Sequence, residues 1–483
     1  MCPVSGCGMA EKIPKEYLNP KLMVVGDSLA QGCRSLTVTK ELCAQSYGAL
    51  LAEAQGWGFT PPQHPQPVVV DVEEVIRKSN DLLTFTGIFK RIDRNIKAWR
   101  STLSAPPTGT RMCWDNLAIA GCNIAEFNLQ TGASWRKQLE EKLAEYDRAS
   151  GFKKLGIAAK MHFPINGTYT LNPTQHPDFD HLTQLGWAFA RKPQCLIVHF
   201  GHNDGLYPVG AFGQVSNLLA AKAAYLNTVK QVLAAPDAIG RLVLVLLPKV
   251  SCVANLMPQG QRLPGSAYYE SYEAKFPFTE AISGKDLKAM DEQIKEINGE
   301  ARVLVGKSKN SGRVTIVDTY KIFGEFDFKN TGNPNALIRP TNKVVVDNRY
   351  LKGRRLPKTP GVSIEQPKYE FEHGGFQSID GMHPSAVGYA VFADQMALAM
   401  NLPRDPAVAA AQLKRSLANE TLITKFPSAL PPFQNLLNLV KQLADLMSDD
   451  NAGEEVTEQA GKNKPAAQAT LGALHNCFCR RGK

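Results

Sequence analysis

The 483-residue chain has no long hydrophobic run: no stretch approaches the ~18 uninterrupted apolar residues that a membrane-spanning helix needs. Its first twenty residues, MCPVSGCGMAEKIPKEYLNP, lack the apolar core of a secretion signal. The expectation is a cytoplasmic protein, with export by a non-standard route left open. Cysteine is scarce. Ten residues are far below the density of a disulfide scaffold, and Cys33, Cys43, Cys113, Cys122, Cys195 and Cys252 lie in or beside apolar segments, which points to buried thiols in a reducing compartment. There is also no run of five or six consecutive basic residues, so the net charge of +10 is dispersed and nucleic acid is not an expected partner. GxxxxGK[ST], HExxH and GxGxxG motifs are missing as well, and no cofactor is expected.

What remains is average globular usage, with 43% hydrophobic and 21% charged residues, enough for a large buried core. Five short apolar runs read as strands buried on both faces: Leu22 to Val25, Leu117 to Ala120, Cys195 to Phe200, Leu242 to Leu247 and Val314 to Val317. Helical patterns lie between them at Lys40 to Gln55, Ser134 to Arg148, Ser216 to Ala234 and Asp286 to Val305. This alternation implies a mostly parallel sheet covered by helices. Residues 57–112, 150–190 and 321–378 are too long for connectors and read as insertions. The main domain is placed at 21–401 after an N-terminal segment 1–20, followed by a helical extension at 402–447 and a polar tail at 448–483. In the extension, Phe433 to Met447 is an amphipathic pattern that fits packing on its own domain or docking of a partner.

Chemistry gathers where strands end. Val25-Gly26-Asp27-Ser28-Leu29 places Ser28 just past the first strand, at the edge where parallel sheets bind ligands. Asn116 to Cys122 ends a strand in Gly121, whose N–H can approach a ligand unobstructed, and Gly201-His202-Asn203-Asp204 brings a side-chain amide to the same edge. Backbone N–H groups and an amide converging on one point are the parts of an oxyanion hole. In Asp380-Gly381-Met382-His383-Pro384 the carboxylate can hold Nδ1–H of His383, leaving Nε2 to take a proton from a hydroxyl. Taken singly, each has a structural alternative: a helix cap for Ser28 or Asn203, a tight turn for Gly121, a turn and helix start for Asp380 and His383. His162, His176 and His181 share one insertion without a metal-ligand spacing, and Cys2, Cys7, Cys477 and Cys479 make a thiolate site only if the termini meet.

Together, Gly26-Asp27-Ser28-Leu29, Asn116 to Gly121, Gly201-x-Asn203-Asp204 and Asp380-x-x-His383-Pro384 resemble the four blocks of the SGNH hydrolase (GDSL esterase/lipase) superfamily, in the same order, over about residues 20–401. Ser46 to Ala52 and Gly374 to Ile379 look like an enlarged bacterial subgroup of unassigned substrate. The resemblance implies a flavodoxin-like three-layer α/β/α fold with five parallel strands and a serine hydrolase cleaving carboxylic esters through an acyl-enzyme. It implies Ser28 as nucleophile, His383 as base and Asp380 as its orienter, with the Ser28 and Gly121 N–H groups and the Asn203 side chain as oxyanion hole. Partners would be small-molecule, lipid or glycan esters. Acyl transfer or glycan O-acetyl hydrolysis by the same site, and ligand binding without turnover, are the alternatives. The three insertions exceed compact family members, which leaves acyl and alcohol specificity open, and the sequence does not set the oligomeric state.

Overall fold

The structure is a computed structural model that describes residues 12–77, 85–204, 215–254, 256–274, 280–327, 329, 337–341, 344–347, 376–378 and 380–420. Strands β1 (Leu22–Gly26), β2 (Cys195–His199) and β3 (Arg241–Val245) are followed by β4 (Met257–Arg262), β5 (Tyr269–Ala274), β6 (Glu280–Ser283) and β7 (Val314–Val317). A parallel sheet forms in the order β1-β2-β3-β7. Long helices at Val215–Leu233 and Gly284–Lys307 lie between its strands in the chain.

Continuous apolar sequence gives strands buried on both faces, and alternation sorts their side chains. Met23, Val25, Leu196, Val198, Leu242 and Leu244 join one apolar cluster. Their neighbours Leu22, Val24, Ile197, Val243 and Val245 join a second, with Tyr47 and Phe392 from the Tyr47–Ala54 and Ala386–Ala399 helices. Those two rings meet edge to face at 4.8 Å.

The sheet has four strands, and the expected fifth is not one of them. Asn116 makes an isolated parallel bridge to Val24, and the Leu117 and Ile119 N–H groups donate to Val24 and Gly26 at 2.8 and 3.1 Å. The ladder stops there because the Gly26 N–H, which would continue it, donates instead to Gln184 Oε1 at 2.7 Å, while on the outer side the Asn116 amide takes the Ala118 N–H and donates to the Ala30 carbonyl. A buried ion pair holds this segment in place: Arg191 binds Asp115 Oδ1 and the Trp114 carbonyl, both at 2.6 Å, and the Tyr17 carbonyl at 2.8 Å.

The insertions carry structure of their own. Residues 57–112 include helices Val72–Arg77 and Phe85–Ser104, and 150–190 include Gly151–Lys160, His162–Leu171 and the start of Gln184–Arg191. In 321–378 a hairpin pairs β8 (Leu337–Thr341) with β9 (Val344–Asp347). The antiparallel β4-β5-β6 sheet was not expected, because its residues are largely polar. The single helix expected over Lys40 to Gln55 is two, Lys40–Cys43 and Tyr47–Ala54, since Ser46 Oγ accepts the Ala49 N–H and starts the second.

Of the C-terminal extension, helix Pro406–Asn419 is described and packs on the body. Gln412 Nε2 donates to the Leu50 carbonyl, and the buried Glu420 carboxylate accepts the Ala386 N–H, both at 2.8 Å. Phe433 to Met447, the tail, and Cys2, Cys7, Cys477 and Cys479 lie outside the described residues. No helix among the described residues is long and apolar enough to cross a membrane.

Gly26 pairs with His199, so β1 and β2 end level and their following turns share one edge. Gly26 has φ +148°, and a Cβ there would overlap the His199 carbonyl oxygen. Gly26→Ala is therefore expected to cost at least about 3 kcal/mol, read as a lower midpoint in urea unfolding.

Candidate active site

Ser28 opens the short helix Ser28–Gln31 directly after β1 and is 5% exposed. Asp27 caps that helix through Leu29 N–H at 3.4 Å. The same carboxylate, fully buried, accepts the backbone N–H of His202 at 3.1 Å and its Nδ1 at 2.7 Å. One side chain thus joins the serine turn to the turn after β2, which carries Asn203.

Asn203 Nδ2 donates to the Cys122 carbonyl at 3.0 Å, which commits one hydrogen of the amide and leaves the other. Gly121, one residue earlier, has φ +82°, and among the described residues neither its N–H nor that of Ser28 has a main-chain acceptor. Asp204 Oδ2 takes the Ile124 N–H at 2.9 Å, tying this turn to the next helix. Burial, with the charges of Asp27 and Glu126, pushes the Asp204 carboxyl up to about 7 against the pull of the Ile124 N–H and His202.

The third turn holds the expected pair. Asp380 Oδ2 meets His383 Nδ1 at 2.7 Å, and Oδ1 accepts the Met382 and His383 N–H groups, each at 2.9 Å, and the Ser378 hydroxyl at 3.1 Å. Burial alone would raise the Asp380 carboxyl, but His383 and these N–H groups outweigh it and hold it below the usual range. For His383, burial pulls downward, while the neighbouring Cys33 and Asp380 outweigh it and lift the imidazole well above its ordinary value. The turn docks on the loop that follows Ser28: Leu36 N–H donates to Asp380 Oδ2 at 2.9 Å, Ser35 N–H to Ser378 Oγ at 3.0 Å, and Tyr389 OH to the Cys33 carbonyl at 2.7 Å.

The structure therefore brings Asp380 to His383, Asn203 to the Gly121-Cys122 turn, and the His383 turn to the loop after Ser28. It does not join Ser28 Oγ to His383 by a hydrogen bond. Among the described residues, no group of three or more His, Cys, Asp or Glu side chains is placed to hold a metal ion. His162 instead lies within charge range of His383, and burial followed by that charge lowers it to about 4.

Three positioning residues were not anticipated. Gln31 and Asn166 are fully buried and exchange reciprocal side-chain bonds of 2.8 Å, while Gln31 Oε1 also accepts the Ala120 N–H at 2.8 Å. This amide pair locates Gly121 against the serine helix. His202 is the third. Gln31 follows Ser28 by three residues, and its polar side chain after the apolar Leu29-Ala30 pair is the sequence signal for it.

A family model described as GDSL-like Lipase/Acylhydrolase matches residues 22–396. No curated protein and no solved structure matches the chain.

Two outcomes follow from the geometry. Asp27→Ala leaves two His202 donors buried without their acceptor and should cost about 3–5 kcal/mol in urea unfolding. Asp380→Asn removes the charge that favours the imidazolium, so the His383 titration followed by NMR should move to lower pH than in the parent protein.

Proposed function

The chain belongs to the GDSL-like lipase/acylhydrolase family, and on that premise we propose that it is a carboxylic-ester hydrolase with a Ser28 nucleophile. The observation that carries the reading is the buried Asp380–His383 pair at 2.7 Å, anchored to the loop that leaves the Ser28 helix. The flavodoxin-like layering implied by the resemblance belongs to the same proposal.

Ser28 Oγ attacks the ester carbonyl as His383 Nε2 takes its proton, and Asp380 keeps Nδ1–H fixed and stabilises the imidazolium. The carbonyl oxygen becomes an oxyanion, which accepts from the Ser28 and Gly121 N–H groups and the second hydrogen of Asn203 Nδ2. Collapse breaks the ester C–O bond, and His383 returns the proton to the leaving alcohol. Water then enters, loses a proton to His383 and releases the acid from Ser28. The step requires Ser28 Oγ and His383 to close on each other when substrate arrives; such contacts are commonly long in free enzymes. The raised His383 pKa sets the acid limb, since only neutral imidazole accepts the proton.

The test is labelling of the full chain by a fluorophosphonate, with peptide mapping. Labelling at Ser28 that is lost in His383→Ala supports the reading, and folded protein with no labelling and no ester turnover refutes it. Ser28→Ala should lower kcat by about 10⁴-fold or more. Asn203→Ala should lower it by about 10²–10³-fold, because it removes one oxyanion donor and leaves the nucleophile.

A further inference from the structure

The insertion at 150–190 sends one side chain to the oxyanion turn. Helices Gly151–Lys160 and His162–Leu171 meet at the buried Met161, and His162 and Phe163 stand just beyond that corner. Phe163 is a large apolar residue left 38% exposed. Its ring fills the space that a Cβ on Gly121 would need, so it packs directly on the Gly121 α-carbon. The helix beneath it is fixed, because Asn166, three residues on, is bonded to Gln31, and Gln31 also holds the Ala120 N–H. One buried amide cluster therefore sets both partners of the Phe163–Gly121 contact. Beside it, the His162 ring stands edge-on at 5.6 Å.

An ester whose carbonyl oxygen faces the Gly121 N–H carries two substituents one bond further out. With the alcohol toward His383, which returns its proton, the acyl chain is the substituent left to run past Gly121. We propose that Phe163 is the end wall of the acyl site and restricts the protein to short acyl groups such as acetyl; this rests on the ester-hydrolase reading above. The ring already touches Gly121, so a longer chain running along that side meets an aromatic face. A residue of the insertion, outside all four motif blocks, thereby sets chain-length selectivity.

The experiment compares the full chain with Phe163→Ala, Phe163→Leu and Phe163→Trp on p-nitrophenyl acetate, butyrate, hexanoate and octanoate, and on acetates of several different phenols. Phe163→Ala should raise the hexanoate-to-acetate ratio of kcat/KM at least about tenfold, with Phe163→Leu intermediate and Phe163→Trp moving the ratio the other way. The ranking of the acetate series should stay within about threefold. Unchanged acyl ratios, or a larger change in the phenol series than in the acyl series, overturn the proposal. Fluorophosphonate labelling of Ser28 is measured alongside in every variant. Labelled variants with unchanged acyl ratios refute the role of Phe163 alone, whereas absence of labelling and turnover in the parent protein refutes the ester-hydrolase reading itself. Should Phe163→Ala not fold, the opposite shifts expected of Phe163→Leu and Phe163→Trp decide the matter.

Discussion

One carboxylate holds the site together. Asp27 is fully buried, yet all three of its hydrogen bonds run to groups that must stand in fixed relation: Leu29 N–H in the Ser28 helix, and the backbone and ring of His202 beside Asn203. A buried carboxylate is tolerated only when donors replace its lost water. The energetic demand of Asp27 is therefore met only when the serine turn and the amide turn are in register. The parallel β1–β2 ladder makes this feasible, because Gly26 and His199 pair and both chains leave the sheet at the same height. Gln31 and Asn166 repeat the principle one helical step further on, using neutral amides to fix the Gly121 turn.

Electrostatics around the His383 and His162 imidazoles run in opposite directions. His383 has Cys33 and Asp380 beside it, and together they override the cost of burying a cation. His162 has no such partner, so burial and the charge of His383 keep it neutral at ordinary pH. The two rings are chemically identical, and their neighbours alone move their protonation in opposite directions.

Much of this was legible in sequence, for reasons that differ by element. Val24-Val25 and Leu196 to Val198 read as buried strands because they carry no polar face, and the spacing of Asp380 and His383 allowed their contact because it is local. The edge segment at Asn116 to Ala120 read as a strand on the same grounds, but the distant Gln184 side chain takes the Gly26 N–H that would have extended its pairing beyond one bridge. The β4-β5-β6 sheet gave no apolar signal. Gln31 and Asn166 are 135 residues apart, and nothing in local pattern pairs two amides over that distance. Phe163 sat in an insertion whose path depends on that same pair, and so its meeting with Gly121 was invisible beforehand.

The docking of Leu36 on Asp380 spans 344 residues. During synthesis the Ser28 turn leaves the ribosome long before the Asp380–His383 segment, and Glu420, whose carboxylate accepts the Ala386 N–H at the start of the following helix, comes later still. Contacts of such sequence separation close late, after the loop entropy between them has been overcome. A nascent or truncated chain would thus carry Ser28 without the turn that docks on its loop, and on the proposed reading its reactivity would emerge late in folding.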